Sequence, residues 1–409
     1  MRYSKQLIGT KKDAKTYASV NATLLQKAGF IDQTMAGVYA YLPLGWRVLN
    51  KIEDIIREEM DLVGAEVLMP ALVPTSLWEQ TNRIETVDVL YAAVPANAAS
   101  AAKNDARYVL NSTHEEVATP IARQFKRSYK DLPFAFYQIQ TKFRNEERPK
   151  SGLLRGREFR MKDLYSFHAS PEDLREYYDR VKDVYMRIFM RLGLGEDTVI
   201  ARASGGDFTD GYSHEFDTFC ETGEDEVFYD EQEDAYYNRE VASADLIAQV
   251  EPRRVCEVGN IFPLNTKFSQ AFEYLYTDKE GKPQPVYMAS YGIGSSRVMG
   301  VLVEKFHDEK GMVWPPSVSP FTVYLAALAE ADSVYDQLTR AGVDVLYDDR
   351  AEVSAGEKLA DADLLGMPWR IIVSKKTGDR IEIKRRQEDQ HAAVLVKVEE
   401  FIDMIQEHS

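Results

Sequence analysis

The chain has 409 residues, 44% of them hydrophobic and 28% charged, with a formal net charge of -16. That length predicts two or three domains with sizeable cores, and the acidic balance excludes nonspecific coating of nucleic acid while leaving room for a local phosphate-binding patch. Two cysteines without a C-x-x-C spacing point away from a disulfide framework or a zinc site, and no apolar run approaches the length of a membrane span.

The first stretch, MRYSKQLIGTKKDAKTYASV, has no apolar secretory core, and Asp13 argues against a transit peptide. A cytoplasmic protein is expected. Residues 20–66 read as helices around an apolar turn at 42–45. The stripe Val48, Ile52, Ile55, Ile56 and Met60 marks the second helix, and Gly64 closes it. AEVLMPALVP reads as a strand stopped by Pro70 and Pro74. Residues 92–104 are small and low in complexity, an exposed loop. Strands are expected at 107–110 and 134–143, and at 158–167 after a basic turn. Residues 171–192 form an amphipathic helix opened by Ser170 and Pro171 and closed by Gly193. The acidic run GEDEVFYDEQEDAYYNRE is expected to be a solvated loop. Strands resume at 255–262, 272–276 and 286–291, and a helix opens at Gly294. WPPSVSPF, at 314–321, marks a boundary. Beyond it strands and helices alternate, which predicts a small α/β domain with a largely parallel sheet.

Two places concentrate chemistry. FRNEERPKSGLLRGREFR, residues 143–160, carries five arginines and one lysine between two expected strands. Strand alternation puts Arg144 and Glu146 on one face. Guanidinium groups match phosphate oxygens bidentately, and Phe159 offers a ring on which a base can stack. A nucleoside triphosphate uses all of these groups; a solvated hairpin with surface arginines explains the same composition. The second place is YGIGSSRVMGVLVEKF, residues 291–306, which reads as strand, glycine turn and helix. Arg297 falls in the first helical turn, against the dipole, which suggests an anion held there. Taken alone, the glycines are better explained by ordinary strand–turn–helix packing.

FRNE, REF and GIGSSR resemble motifs 2 and 3 of class II aminoacyl-tRNA synthetases, and IIREEMDLVGAEVLMPALVP, with Pro70, resembles motif 1. NSTHEEVATPIARQF, the long block YKDLPFAFYQIQTKFRNEERPKSGLLRGREFRMKDLYSFH, SHEF, EVGNIF and DDRAEVSAGEKLADADLLGMPWRIIVS extend the likeness. Together they resemble the prolyl-tRNA synthetase family of the bacterial or organellar type over nearly the whole chain.

The resemblance implies an α+β protein. An antiparallel-sheet catalytic domain with flanking helices would span 1–315, with a short linker at about 224–254 in place of the family's large editing insertion. A small α/β anticodon-binding domain would span 316–409. The implied activity is that of a proline–tRNA ligase, which uses ATP and Mg2+ to form prolyl-adenylate and charges the 3′ end of tRNA(Pro). No zinc and no membrane are implied, and the homodimer would form through the motif 1 region around Pro70.

The same resemblance distributes roles. Arg144 and Arg297 are the implied catalytic cations. Proline would meet Thr113, Glu115, Arg144, Met161, Asp163, Ser213, His214 and Ser290. ATP would meet Arg144, Glu146, Arg155, Phe159, Glu257, Thr266, Ser295 and Arg297, and Glu257 is the candidate Mg2+ ligand. The tRNA would meet Arg148 at the acceptor stem, and Asp349, Arg350 and Lys358 near the anticodon. His114 and His168 are read as structural. Asn260 and Ser290 stand where many family members have His and Cys. Two alternatives stay open: another class II ligase, and a synthetase-like binder without catalysis.

Overall fold

The computed structural model describes residues 1–5, 7, 9–11, 15–209 and 211–407; Asp13 lies outside them. The chain packs as two compact units. One gathers Met35–Val38 with Ile52–Val301, the other Met1–Thr34 and Tyr39–Lys51 with Leu302–Ser409.

The first unit is built on a nine-stranded sheet. From one edge the strands are Tyr212–Phe219, Thr198–Ser204, Ala235–Asn238, Asp225–Asp230, Arg253–Asn265, Tyr287–Ile293, Glu158–His168, Phe134–Phe143 and Ala65–Glu66. The pairing is antiparallel except where Ala65–Glu66 meets Phe134–Phe143 and Ala235–Asn238 meets Thr198–Ser204. Tyr212–Phe219 also pairs with Arg253–Asn265, across a bulge at Phe216 and Asp217, so the first five strands close on themselves.

The helix Pro171–Arg191 starts where expected, with the Ser170 side chain accepting from the Asp173 backbone N–H. Its buried residues Leu174, Tyr178, Val181, Tyr185 and Ile188 recur at helical spacing, the pattern of one apolar face against a core. Tyr178 and Tyr185 meet Tyr291 and Phe216 of the sheet at ring distances of 5.8 and 4.9 Å. Phe134, Phe136 and Phe167 stack near the other end of the sheet, within a core that includes Trp78, Tyr165 and Tyr274. Each such ring pair contributes about 0.5–1.5 kcal/mol beyond area burial.

The local structure departs from expectation in five places. Ile31–Met35 and Val38–Tyr41 form a hairpin rather than helix. Its turn needs Gly37, at φ +76°, where a Cβ would sit 2.6 Å from Pro149 Cβ. Residues 42–45 are not a turn within helices but the start of the helix Pro43–Met60, with proline at the position that needs no N–H partner. AEVLMPALVP splits into Ala65–Glu66 and Leu72–Pro74. The acidic run is no solvated loop: Asp225–Asp230 and Ala235–Asn238 are sheet strands, burying Val227, Phe228 and Tyr237. Apolar and aromatic positions interleave with the acids, and the adjacent Val227 and Phe228, which point to opposite faces, are both buried. Residues 272–276 likewise are not one strand: 272–274 lead out of the helix Lys267–Ala271, and only Leu275 and Tyr276 belong to the strand Leu275–Thr277.

In the second unit Val345–Asp348, Val323–Ala327 and Trp369–Val373 are parallel neighbours. Ile381–Arg385 and Val394–Val396 extend the sheet antiparallel. The helices Asp332–Arg340, Ala355–Leu365 and Val398–Gln406 accompany it. Val323, Leu325, Leu338, Ile371, Ile383 and Phe401 form its core. The Tyr347 N–H donates to Met1 O at 2.8 Å, and Arg2 bridges to Tyr347, so the first residues border the sheet edge. Among the described residues, no helix is long and apolar enough to cross a membrane.

Candidate active site

The first unit holds a cleft of about 410 Å³, lined from both central and peripheral strands of the sheet. Eleven residues nominated from sequence meet there: Thr113, Glu115, Arg144, Glu146, Arg155, Phe159, Met161, Asp163, Glu257, Ser290 and Arg297. They come from four stretches of chain. The sheet order explains the convergence, because Tyr287–Ile293 lies between Arg253–Asn265 and Glu158–His168. Motifs distant in sequence are therefore adjacent strands.

One end of the cleft is cationic. Arg297 Nη1 donates to Glu257 O and to Glu257 Oε2, each at 2.9 Å, and Nε donates to Leu154 O at 2.9 Å. The Arg144 guanidinium lies 5.1 Å from the Phe159 ring centre. Burial and then Arg297 lower the Arg144 pKa, so the two cations feel one another. Such a pair is poised for an anion that neutralises both. Glu146 accepts from Arg155 Nε at 2.8 Å; Arg155 and Lys150 also reach Glu224, at 3.2 and 3.3 Å. Arg148 is exposed in the loop between these strands.

The other end is a polar floor. Lys142 Nζ lies 2.7 Å from Asp163 Oδ1, while Tyr165 and Gln138 donate to Asp163 Oδ2 at 2.8 and 3.0 Å. Burial pushes the Asp163 carboxyl up, but Lys142, His114 and these hydrogen bonds hold it below its ordinary value. Burial and Lys142 push the His114 pKa down to about 3. His114 is therefore neutral, with Nδ1 accepting from Lys142 at 2.5 Å and Nε2 donating to Pro70 O at 3.1 Å. The tautomer follows from these partners. His114 turns inward, as expected, while its neighbours Thr113 and Glu115 line the cleft and hydrogen-bond to each other.

Several nominated residues sit elsewhere. His214 turns to the helix, its Nδ1 3.0 Å from the Tyr178 hydroxyl, and does not line the cleft; its strand neighbour Glu215 does. Strand alternation permits only one of the two. Ser213 donates to Ser204 O at 2.8 Å, outside the lining. Thr266 precedes the helix Lys267–Ala271, accepting from Gln270 Nε2. Ser295 donates to Glu53 Oε1 at 3.0 Å beneath the helix start, and Ser296, its neighbour, lines the cleft instead. His168 is held by Ser166 and Asp173, a packing role.

In the second unit Lys358 is only 3% exposed and donates to Ala327 O and Asp348 O, at 2.7 and 3.1 Å. Arg350 grips Asp348 with two hydrogen bonds and Asp361 with a third, and Asp349 accepts from Ser4. All three are engaged within the fold. Arg350 and Lys358 are committed to its internal framework, not presented as free cations.

Sequence reading passed over Glu215, Arg83 and the segment Ser204–Phe208, all of which line the cleft, as does Asn260, noted there only as a departure from the family pattern. SHEF contained the signal for Glu215, but the histidine was favoured. Arg83 had no local signal at all.

The comparisons with known proteins bear on the family and the fold. Residues 99–306 match the family model "tRNA synthetase class II core domain (G, H, P, S and T)", and residues 317–408 match "Anticodon binding domain". The proline–tRNA ligase of Rhizorhabdus wittichii is 39% identical over 94% of this chain and 96% of its own length. The Wolbachia enzyme is 40% identical over 94% and 95%. Among solved structures, the Giardia lamblia prolyl-tRNA synthetase in complex with prolyl-adenylate superposes with a TM-score of 0.77. It is 21% identical and covers 95% of this chain and 78% of that one. The Cryptosporidium parvum enzyme complexed with L-proline and AMP gives a TM-score of 0.75 at 19% identity, over 95% and 74%. With a cationic cleft on a class II sheet and relatives of this identity along almost the full length of both chains, the protein belongs to the proline–tRNA ligases, the ATP-dependent class II synthetases that form prolyl-adenylate and charge tRNA with proline.

Proposed function

We propose that the two ends of the cleft divide the reaction, the arginines holding the triphosphate and the Thr113–Glu115 loop holding proline. The observation that carries this reading is the meeting of Arg144 and Arg297 in one cleft with Glu115 and Asp163. Glu115 places a carboxylate opposite the secondary amine of proline, with Thr113 as its hydrogen-bonding neighbour. Asp163, Met161 and Ser290 enclose the ring. Arg144 bridges the proline carboxylate and the α-phosphate. Arg297 takes the outer phosphates, and Glu146 and Arg155 face the nucleotide. Phe159 stacks the adenine. A proline carboxylate oxygen bonds to the α-phosphorus as the bond to the β-phosphate oxygen breaks and pyrophosphate leaves. The terminal tRNA hydroxyl then attacks the prolyl carbonyl, and AMP leaves. Positioning and charge neutralisation do most of this work.

Mg2+ fits the donor set only in company with substrate. Glu257 offers hard oxygen ligands at the triphosphate end, yet no cluster of three or more His, Cys, Asp or Glu able to hold a metal exists among the described residues. An ion held by one or two carboxylates and by phosphates suits Mg2+, and it would neutralise charge on the triphosphate. The reading assigns no role to zinc.

For tRNA, exposed Arg148 is the acceptor-stem candidate, and the second unit is the anticodon candidate. Its engaged residues Asp349, Arg350 and Lys358 would shape that surface more than touch bases. We also propose the functional division into 1–315 and 316–409, a homodimer through the motif 1 region, and a cytoplasmic location. The edge strand Ala65–Glu66 and its flanks expose Leu62, Val67, Leu68 and Leu72, at 58%, 37%, 77% and 48%. A row of exposed apolar groups on a sheet edge favours a partner copy.

The deciding experiment is ATP–pyrophosphate exchange with each amino acid. Proline-dependent exchange is expected, and Arg297→Ala should lower it by about 10³-fold, the scale of losing a preorganised charge contact. Undiminished exchange in Arg297→Ala would remove the arginine from the site.

A further inference from the structure

Beside the amine loop, two acidic residues stand side by side. Glu115 lines the cleft; Glu116 lies behind it, 0% exposed. Adjacent buried carboxylates disfavour one another's charge unless a cation is close. That cation is Arg83, itself only 3% exposed. Its Nη1 donates to Glu116 Oε1 at 2.8 Å and lies 3.7 Å from Glu115 Oε2. Thr81 also donates to Glu116 Oε1, at 3.0 Å. The guanidinium is clamped among aromatic rings, with centres 5.2 Å away at Trp78, 4.5 Å at Phe208 and 5.3 Å at Phe268. Arg83 Nε and Glu116 Oε2 are buried without a hydrogen-bond partner among the described residues. The arrangement spends an unsatisfied donor and an unsatisfied acceptor to keep a cation at this point.

We propose that Arg83 is a positioning residue for proline: it sets a positive charge against both glutamates of the Glu115–Glu116 pair and aims Glu115 into the cleft. The proposal rests on reading Glu115 as the carboxylate that meets the proline amine. Other charged and titratable groups face this pair. Lys142 and Asp163 come from neighbouring strands, Tyr165 from the floor, Arg144 from the strand end and His114 from the position just before the pair, and each interacts electrostatically with Glu115 or with another of them. Lys142 is already matched by Asp163 at 2.7 Å. Arg144 faces the second cation Arg297. Arg83 is thus the cation committed to the two glutamates. Consistent with a balance that depends on it, burial raises the Glu116 pKa to about 7 while Arg83 lowers it and Glu115 raises it.

The test is ATP–pyrophosphate exchange with saturating ATP between pH 6.5 and 8.5, with the melting temperature measured in parallel. Arg83→Met should raise KM for proline by about 10–100-fold, the weight of one charged hydrogen-bonding partner in a desolvated site, and leave KM for ATP within about threefold. Without its cation the carboxylate pair takes up a proton, so the proline defect should shrink as pH rises. Adding Glu116→Gln removes the repulsion and should recover most of the proline KM. A purely structural arginine gives no such rescue and no pH dependence. The proposal is overturned if Arg83→Met leaves the proline KM unchanged, raises the ATP KM equally, or is not rescued. If Arg83→Met does not fold, Arg83→Lys decides: a proline KM raised severalfold supports the role, an unchanged one overturns it. Glu115→Gln is the control for the underlying reading. If it leaves the proline KM unchanged, the amine assignment itself fails, whatever Arg83 does.

Discussion

Three histidines in the first unit are held neutral by their surroundings. Burial and Lys142 lower the His114 pKa to about 3; burial, then Lys182 and Arg202, lower that of His214 to about 4; burial lowers that of His168, against the opposing pull of Asp173. In the unfolded chain each returns to about 6.5. Between about pH 6.5 and 4 the unfolded state therefore binds more protons than the folded one. Stability should rise with pH through this window and be lost as pH falls below about 6.5, by up to roughly 1.4 kcal/mol per pH unit for each histidine. Urea midpoints measured from pH 4 to 8 check this, and His214→Gln should reduce the acid slope by about one proton. An unchanged slope would return His214 to solvent. The residue scale is also where sequence reading was least complete. Arg144, Arg297 and Glu115 were legible because each belongs to a short motif with a chemical purpose. Arg83 was not, because a lone arginine in a helical turn acquires meaning only from Trp78, Phe208, Phe268 and Glu116, which are brought to it by folding.

At the scale of elements, the hairpin of Phe134–Phe143 and Glu158–His168 was readable from its alternation, and with its loop it brings Arg144, Glu146, Arg155, Phe159, Met161 and Asp163 to the cleft. The strands Asp225–Asp230 and Ala235–Asn238 were not, because their acids masked the buried Val227, Phe228 and Tyr237. Their placement has a consequence for the arginine loop. Glu224, just before the first of these strands, pairs with Lys150 and Arg155. In the proposed reading its carboxylate competes with the triphosphate for Arg155. Exposed pairs contribute about 0–1 kcal/mol, so Glu224→Gln should lower KM for ATP by up to about fivefold and leave KM for proline unaltered. A raised ATP KM would mean that Glu224 orders the loop for the nucleotide rather than competing with it.

At the scale of the molecule, two expectations follow from size and surface. Among the described residues, 169–287 hold the helix Pro171–Arg191, the short helices Ala244–Gln249 and Lys267–Ala271, and strands with their connections, and we propose that this segment carries no editing module. Alanine differs from proline by the carbons of a small ring, and an apolar pocket discriminates at about 1–3 kcal/mol per methylene. Alanine-dependent exchange should therefore be detectable, and alanyl-tRNA should accumulate with the purified enzyme. Rapid hydrolysis of that product would reveal an editing site. The exposed edge carries a second expectation. Leu68→Glu puts a charge at a position 77% exposed in the single chain, so it should leave the protomer folded but shift a dimer to monomer in light scattering and depress exchange. Pro70, on the same segment, is linked to the amine loop through the hydrogen bond between its carbonyl and His114. An unshifted mass would place the interface elsewhere.

The linear order of residues by itself determined the family, the activity and the chemical types at the cleft, because motifs with fixed spacing carry those locally. It also determined most strands and helices, since period-2 and period-3.6 patterns are local properties. What only the tertiary structure decided was which side of each strand faces the cleft and which cations are already committed. His214 against Glu215, Ser295 against Ser296, and the engaged Arg350 and Lys358 all turned on partners more than ten residues away or on the opposite face of a sheet. Long-range pairing sets those choices, and neither composition nor spacing encodes it.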